Sequence, residues 1–203
     1  MKNRFLTLVG FMVVLLSACS KDDNGITLQK HDDNKMMTLM HQMMSKMDTM
    51  QRTNDPEIDF ARMMKMHHQG AIDMANLELQ EGKNDSLKRT AQKIINEQQP
   101  EIQQLTTILA SLTVDNSDPS FTMEQMDNMM KGGKAADIQL ITGDIDNDFA
   151  TLMIIHHQSA IDNASAYLHH GNNAQLKTMS NNIVMPQTKE IEELADWLKA
   201  NKR

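Results

Sequence analysis

The chain repeats itself, and a repeat of this length constrains the architecture before composition is considered. Asp59-Phe60-Ala61 is matched by Asp148-Phe149-Ala150, and the two stretches then run in step, without a gap, at an offset of 89 residues. Met64 falls on Met153, His67-His68-Gln69 on His156-His157-Gln158, and Ala71-Ile72-Asp73 on Ala160-Ile161-Asp162. Further along, Gly82 meets Gly171, Ile94 meets Ile183, Gln98 meets Gln187 and Glu101-Ile102 meets Glu190-Ile191. Upstream the match resumes with a three-residue shift, setting Met37, Met40, Met43 and Met44 against Met123, Met126, Met129 and Met130. Each copy (35–112 and 119–201) is a Met-rich segment, then a His-His segment, then a Gln/Glu segment.

Each segment reads as a helix. Met36, Met40, Met43, Met47 and Met50 recur at alternating spacings of four and three, an amphipathic stripe. Asp55-Pro56 supplies an N-cap and first-turn residue, and Gly82 a stop. Asn84 or Asp85 can cap the next helix, and the second copy repeats the grammar with Asp118-Pro119 and Gly171. No segment alternates with period two. The fold class expected is all-α: a four-helix bundle of two repeated hairpins, about 56–81, 84–112, 146–170 and 173–201. Two shorter Met-rich helices would lie against it or cover one end. Pro100 and Pro186 predict a kink or break in the third helix of each copy. Gly132-Gly133 and Thr142-Gly143-Asp144 mark a flexible stretch in the second copy. One hairpin alone buries too little to stand by itself, so 35–203 is read as one domain.

Residues three and four apart share a helix face, so Met64 lies beneath His67 and His68, and Met153 beneath His156 and His157. These six are candidate metal ligands. Thioethers from Met37, Met40, Met43, Met44, Met47, Met123, Met126, Met129 and Met130 join them, with His41 as an extra imidazole. Thioethers suit soft ions such as Cu(I) or Ag(I), and imidazole also serves Cu(II), Zn and Ni, which puts copper first. Plain alternatives exist. A Met stripe is ordinarily core filling, and a His pair is ordinarily a cap or a core hydrogen-bonding group. Recurrence of both patterns in both halves, with Met three residues before the first His each time, favours the metal reading. Asp73 and Asp162 are either acceptors that orient an imidazole or exposed helix charges. His169-His170 reads as a helix-end cap, and His31 as solvated.

The N-terminus sets the compartment expected. Lys2 and Arg4 precede an apolar run from Phe5 to Leu16 that is short for a bilayer span, followed by Leu16-Ser17-Ala18-Cys19. This is similar to the bacterial lipoprotein box, in which cleavage precedes the cysteine and lipid joins its sulfur. The reading expected is a signal peptide over 1–18, a lipid on Cys19, and a polar tether over 19–34. The protein would then be exported and held at the cell envelope by its lipid alone, with the outer membrane as the expected place. Cys19 is the single cysteine of the chain, so a soft-metal site further on must use Met and His. Of the 20 Met only Met1 and Met12 precede it, and aromatics are 3% of residues, so Met must share the core with Leu, Ile and Ala. With 20 Lys+Arg against 27 Asp+Glu the formal charge is −7, which argues against nucleic acid as a partner and is compatible with attracting cations.

Taken together, Asp-Phe-Ala-x-x-Met-x-x-His-His-Gln-x-Ala-Ile-Asp followed by Gln-x-x-Glu-Ile, present twice, resembles the domain-of-unknown-function 305 family. That resemblance implies an exported, ferritin-like helical bundle, in a family some of whose members are linked to copper handling. The second copy departs from it where Asn163 stands in place of Met74, which implies unequal halves. The function expected is a non-catalytic envelope lipoprotein that binds copper or silver for sequestration or tolerance, without an organic cofactor. One alternative is a structural lipoprotein whose Met-rich surface binds a partner. The other is a ferritin-like metal-dependent oxidase, disfavoured because no His has Glu three residues before it. Homo-oligomerisation stays open.

Overall fold

The computed structural model describes residues 27–201 and is all-helical. A single 3-10 turn at His31–Asp33 leads into six α-helices. These are α1 (Lys35–Asp48), α2 (Pro56–Glu81), α3 (Asp85–Ser111), α4 (Pro119–Asp137), α5 (Ile145–His170) and α6 (Ala174–Ala200). The signal peptide expected over 1–18 and the expected lipid site Cys19 lie outside the described residues. Among the described residues no helix is long and apolar enough to cross a membrane.

Local chemistry sets the helix ends. Asn34, Asp55, Asn84, Asp118, Asp144 and Asn173 each cap a helix, their side-chain oxygens accepting from the first free N–H groups. Asn34, expected in the tether, also donates from Nδ2 to Asp148 Oδ2 at 2.7 Å and is buried. His31 meets the Gln139 carbonyl at 2.9 Å, so the end of the expected tether docks onto the domain. Pro100 and Pro186 sit inside α3 and α6, which continue past them, so the break expected there does not occur. Each helix gives up one N–H donor at its proline.

α2 packs along α3, and α5 along α6. The two hairpins meet through α2–α5 and α3–α6, giving a four-helix bundle with pseudo-twofold symmetry. α1 and α4 lie against the α2/α5 face, making three layers: α3/α6, α2/α5 and α1/α4. Gly132 and Gly133, read as part of a flexible stretch, fall inside α4. A Cβ on Gly133 would collide with the Met44 methyl, and one on Gly132 would crowd Ser159 Oγ at 3.1 Å. The glycines thus mark where α4 closes on α1 and α5.

Buried carboxylates lock the hairpins to one another. Asp59 accepts from the Thr53 and Asn54 backbones, and Asp148 does the same for Thr142 and Gly143. Asn54 and Gly143 take φ of 61° and 77° in these matching turns. Glu57 of the first copy accepts from Asn172 N at 2.6 Å in the α5–α6 turn. Asp146 of the second accepts from Lys83 N and Asn84 N, at 2.9 and 3.0 Å, in the α2–α3 turn. Behind these clamps stand Glu78 and its repeat counterpart Tyr167, both buried. Gly82 and Gly171 leave room for them, since a Cβ at either would collide with that side chain.

Burial, followed by the hydrogen bond and charge of Asp146, pushes the Glu78 carboxyl up to about 8. Glu78 is thus protonated at neutral pH beside Asp146, and burial together with the neighbouring Glu57 raises the Tyr167 phenol, keeping it protonated in the matching place. A carboxyl whose folded pKa is raised stabilises the fold below its ordinary range, and the contribution is lost as pH rises through about 8. Urea unfolding between pH 5 and 9 should therefore show wild-type stability falling by on the order of 2 kcal/mol relative to Glu78→Gln, whose amide keeps the donor throughout.

Candidate metal centre

Consecutive helical residues point about 100° apart, so a His-His pair cannot aim both rings the same way. At the α2–α5 crossing this separates the pairs into two sets. His67 and His156 meet each other near the pseudo-twofold, with ring centroids 3.7 Å apart, on the side covered by α1 and α4. His68 and His157 turn toward α3 and α6, where their Nε2 atoms lie 2.7 Å from Glu101 Oε2 and 2.8 Å from Glu190 Oε2. All four rings are buried. The turn expected to present one thioether and two imidazoles together is therefore divided between two faces of the layer.

On the α1/α4 side, a cavity of about 10 Å³ is lined by Met40, Met43, Met44, His67, Met129 and His156. A space of this size holds roughly one water-sized sphere. His156 Nε2 stands 3.2 Å from Met43 Sδ and 3.0 Å from the His67 carbonyl. A proton on Nε2 is donated to that carbonyl; with the proton on Nδ1, the Nε2 lone pair faces sulfur. Both ring nitrogens of His67, and Nδ1 of His156, have no hydrogen-bond partner. Burial first, then the neighbouring histidines, holds both rings well below the usual imidazole range, so they are neutral with lone pairs available. Gly70 makes this geometry attainable, since a Cβ there would collide with Met43 Sδ.

The second copy does not reproduce this arrangement. Ser159 takes the place of Gly70, and Asn163 that of Met74. Ser159 Oγ and Asn163 Nδ2 lie 3.9 and 3.6 Å from Met129 Sδ, holding the thioether that corresponds to Met43. The halves are unequal for this reason.

The Met segments also diverge. Met36, Met37, Met40, Met43 and Met47 of α1 are buried, whereas Met123, Met126 and Met130 of α4 are exposed. Between the two helices runs an open groove of about 250 Å³, lined by Met44, Met47, Met50, Met63, Met126, Met129 and Met130, among other residues. Met44 and Met129 line both groove and inner cavity. Met64, Met153 and Met37 are wholly buried and line neither.

Other sequence candidates fall outside this centre. His41 pairs with Asp137 at the surface, 2.9 Å away. Asp73 and Asp162, considered as imidazole partners, instead accept from Gln69 and Gln158 on an exposed face. Glu101 and Glu190 hold the place beside the rings; the repeat alignment paired them, and that was the signal available. His170 at the end of α5 bridges Asp118 and Glu124 at 2.7 and 3.1 Å, tying α4 to α5.

Among the described residues, no three His, Cys, Asp or Glu side chains stand close enough to hold a metal ion by themselves. At the His67–His156 crossing it is thioethers that could complete a donor set. The fold and site define an all-helical Met/His bundle with a buried, neutral imidazole pair facing sulfur. The chain belongs to the family described as Domain of unknown function (DUF305), whose model matches residues 9–109 and 57–198. Its structure is similar to solved structures of CopM. It matches CopM in the Ag-bound form (by soaking) at 27% identity and TM-score 0.56, covering 76% of this chain and 100% of that one. It matches the Cu(I)-bound form at 27% and 0.55, covering 75% and 100%, and the Cu(II)-bound form at 30% and 0.56, covering 74% and 99%. No curated protein sequence matches.

A buried imidazole without partners costs stability, so removing it should help the metal-free fold. His67→Leu is expected to melt at the same temperature as wild type or a few degrees higher without metal; with Ag(I), wild type is expected to gain stability and His67→Leu to show no such gain. Thermal melts with and without Ag(I) check both halves of this expectation.

Proposed function

We propose that this protein binds a soft monovalent metal ion, copper(I) first and silver(I) by the same chemistry, and sequesters it without catalysis. The observation that carries this reading is His67, a fully buried neutral ring with both nitrogens unpartnered, in a cavity lined by thioethers. His67, His156 and Met43 are the core ligands, and Met40, Met44 or Met129 completes the set. Two ligands of a tetrahedral ion, at about 2.0 Å for nitrogen and about 2.3 Å for sulfur, stand about 3.5 Å apart. The Met43 Sδ to His156 Nε2 separation of 3.2 Å is close to that spacing. Soft thioethers and neutral imidazole favour Cu(I) over harder ions. The Met groove between α1 and α4 is the entry, with Met44 and Met129 passing the ion inward. CopM forms carrying Cu(I) and Ag support the assignment through the shared fold.

Cu(I) titration of the full chain against a competing chelator tests the site. The double variant His67→Ala/His156→Ala is expected to lose at least about 100-fold in affinity, and Met43→Leu about ten-fold. Undiminished binding by the double variant would overturn the site. Loss only on replacing Met126, Met129 and Met130 would relocate it to the groove.

The same reading places the protein at the cell envelope through a lipid on Cys19, supported by Leu16-Ser17-Ala18-Cys19. Expressed in a bacterial host, wild type should partition with membranes and take up labelled fatty acid. Cys19→Ala should move to the soluble fraction unlabelled.

A further inference from the structure

Exposed aliphatic side chains are unevenly placed on this bundle. Among the described residues, the only Leu and Ile left exposed are Leu28, Ile138 and Leu140, at 54%, 78% and 70%. All three belong to two short stretches that run together beside the helix ends. Gln29 N donates to the Ile141 carbonyl at 2.7 Å, and His31 Nε2 meets the Gln139 carbonyl at 2.9 Å. Ile138 is the C-cap of α4. One exposed Leu is ordinary on a protein surface, whereas a gathered set marks a contact surface.

This patch occupies one end of the molecule. α4 finishes and α5 begins there, and Asp146 in the first turn of α5 holds the α2–α3 turn beside them. The chain preceding the domain joins it at the same end. Residues 20–27 separate Cys19 from Leu28, and a chain of that length reaches about 30 Å when fully extended. If flexible, such a chain averages about 17 Å from end to end. The 26 residues of α5 span about 39 Å, so an anchor at Cys19 keeps the patch, and not the far end of the bundle, next to the bilayer. Charges around the patch are of both signs. Lys30 and Lys134 are exposed, as are Asp32 and Asp33, and Asp137 pairs with His41. That mixture suits an apolar partner better than a strongly charged one.

We propose that this end of the bundle is a membrane-contact surface, with Leu28, Ile138 and Leu140 entering the headgroup region of the phospholipid layer that carries the anchor. The inference rests on the lipid proposed at Cys19 and goes beyond it, since a lipid alone leaves the domain free to tumble on its tether. Three side chains are too few to hold a free domain on a membrane. The tether makes docking intramolecular, however, and a weak contact then suffices to fix the orientation. Met130 lies about two helical turns before Ile138 along α4, so the groove between α1 and α4 stays in water just above the headgroups.

Nitroxide accessibility tests this on the full lipidated chain, in vesicles of phosphatidylethanolamine and phosphatidylcholine. The label is carried by Lys30→Cys or, as a control on the exposed part of α6, by Met185→Cys, with the Cys19 sulfur blocked by its lipid. Collision with a water-soluble nickel chelate is expected to fall at least about three-fold at position 30, relative to the unlipidated Cys19→Ala chain in solution, and to stay unchanged at 185. Adding Ile138→Ser/Leu140→Ser, both at exposed positions, should restore collision at 30 while the protein stays on the vesicles. Equal collision at 30 and 185, or protection at 30 that survives the serine pair, overturns the proposal. Protection abolished by high salt assigns it to charge and overturns it as well. Fatty-acid labelling of the same samples separates the two readings. Acylated protein left unprotected at 30 overturns the contact surface alone, and wild type without an acyl chain overturns the anchor and the contact surface with it.

Discussion

The crossing of α2 and α5 is the constraint on which the rest of the molecule depends. Each helix brings two adjacent histidines to it, and a helical step of about 100° forces one ring to each side. Alanines rather than bulky residues at 71, 75, 160 and 164, all buried, let the helices close until the His67 and His156 rings meet, 3.7 Å apart and tilted by 40°. From that contact the outer layers take their character. The layer facing the first imidazoles is thioether-rich, and the layer facing the second presents carboxylates and amides. One duplicated motif thereby creates two chemically different environments on opposite faces of one pair of helices.

Holding this crossing in register falls to polar contacts at its ends. α2 and α5 run antiparallel, so the first turn of each lies beside the last turn of the other. Glu57 and Asp146 each accept backbone N–H groups from the opposite copy's turn. A slip of one helix along the other would break these bonds and strand buried carboxylates, at a cost of several kcal/mol by the usual penalty for unpaired buried charge. Glu78 and Tyr167 solve one problem in two ways, each presenting an O–H beside a buried acid. The buried, unpartnered His67 is tolerated in a bundle so firmly tied, and departures of this kind are expected at functional sites.

Duplication without full symmetry explains the unequal halves. Gly70 admits Met43 toward His156, whereas Ser159 and Asn163 contact Met129 in the matching place. α1 turns its methionines inward as core, and α4 packs through Phe121, Gln125 and Gly133 while leaving Met123, Met126 and Met130 outside. The same Met-x-x-Met-x-x-Met-Met spelling is thus buried in one half except for Met44, which reaches the groove, and is mostly exposed in the other, where Met126, Met129 and Met130 line that groove.

The sequence by itself determined the helices, their ends, the duplication and the residues the two copies share, because caps, prolines and a 3.6-residue period act within a few neighbours. It also paired Glu101 with Glu190, although nothing local marked them as partners of His68 and His157. Only the tertiary structure decided which way each histidine faces, which methionines are core, and that Gly132-Gly133 is a crossing point and not a hinge. Pro100 and Pro186 predict a kink or a break by a local rule, and α3 and α6 nevertheless continue past them. These outcomes depend on which helix covers which face at what separation. That is a property of layers brought together from residues about ninety positions apart, and no window along the chain contains it.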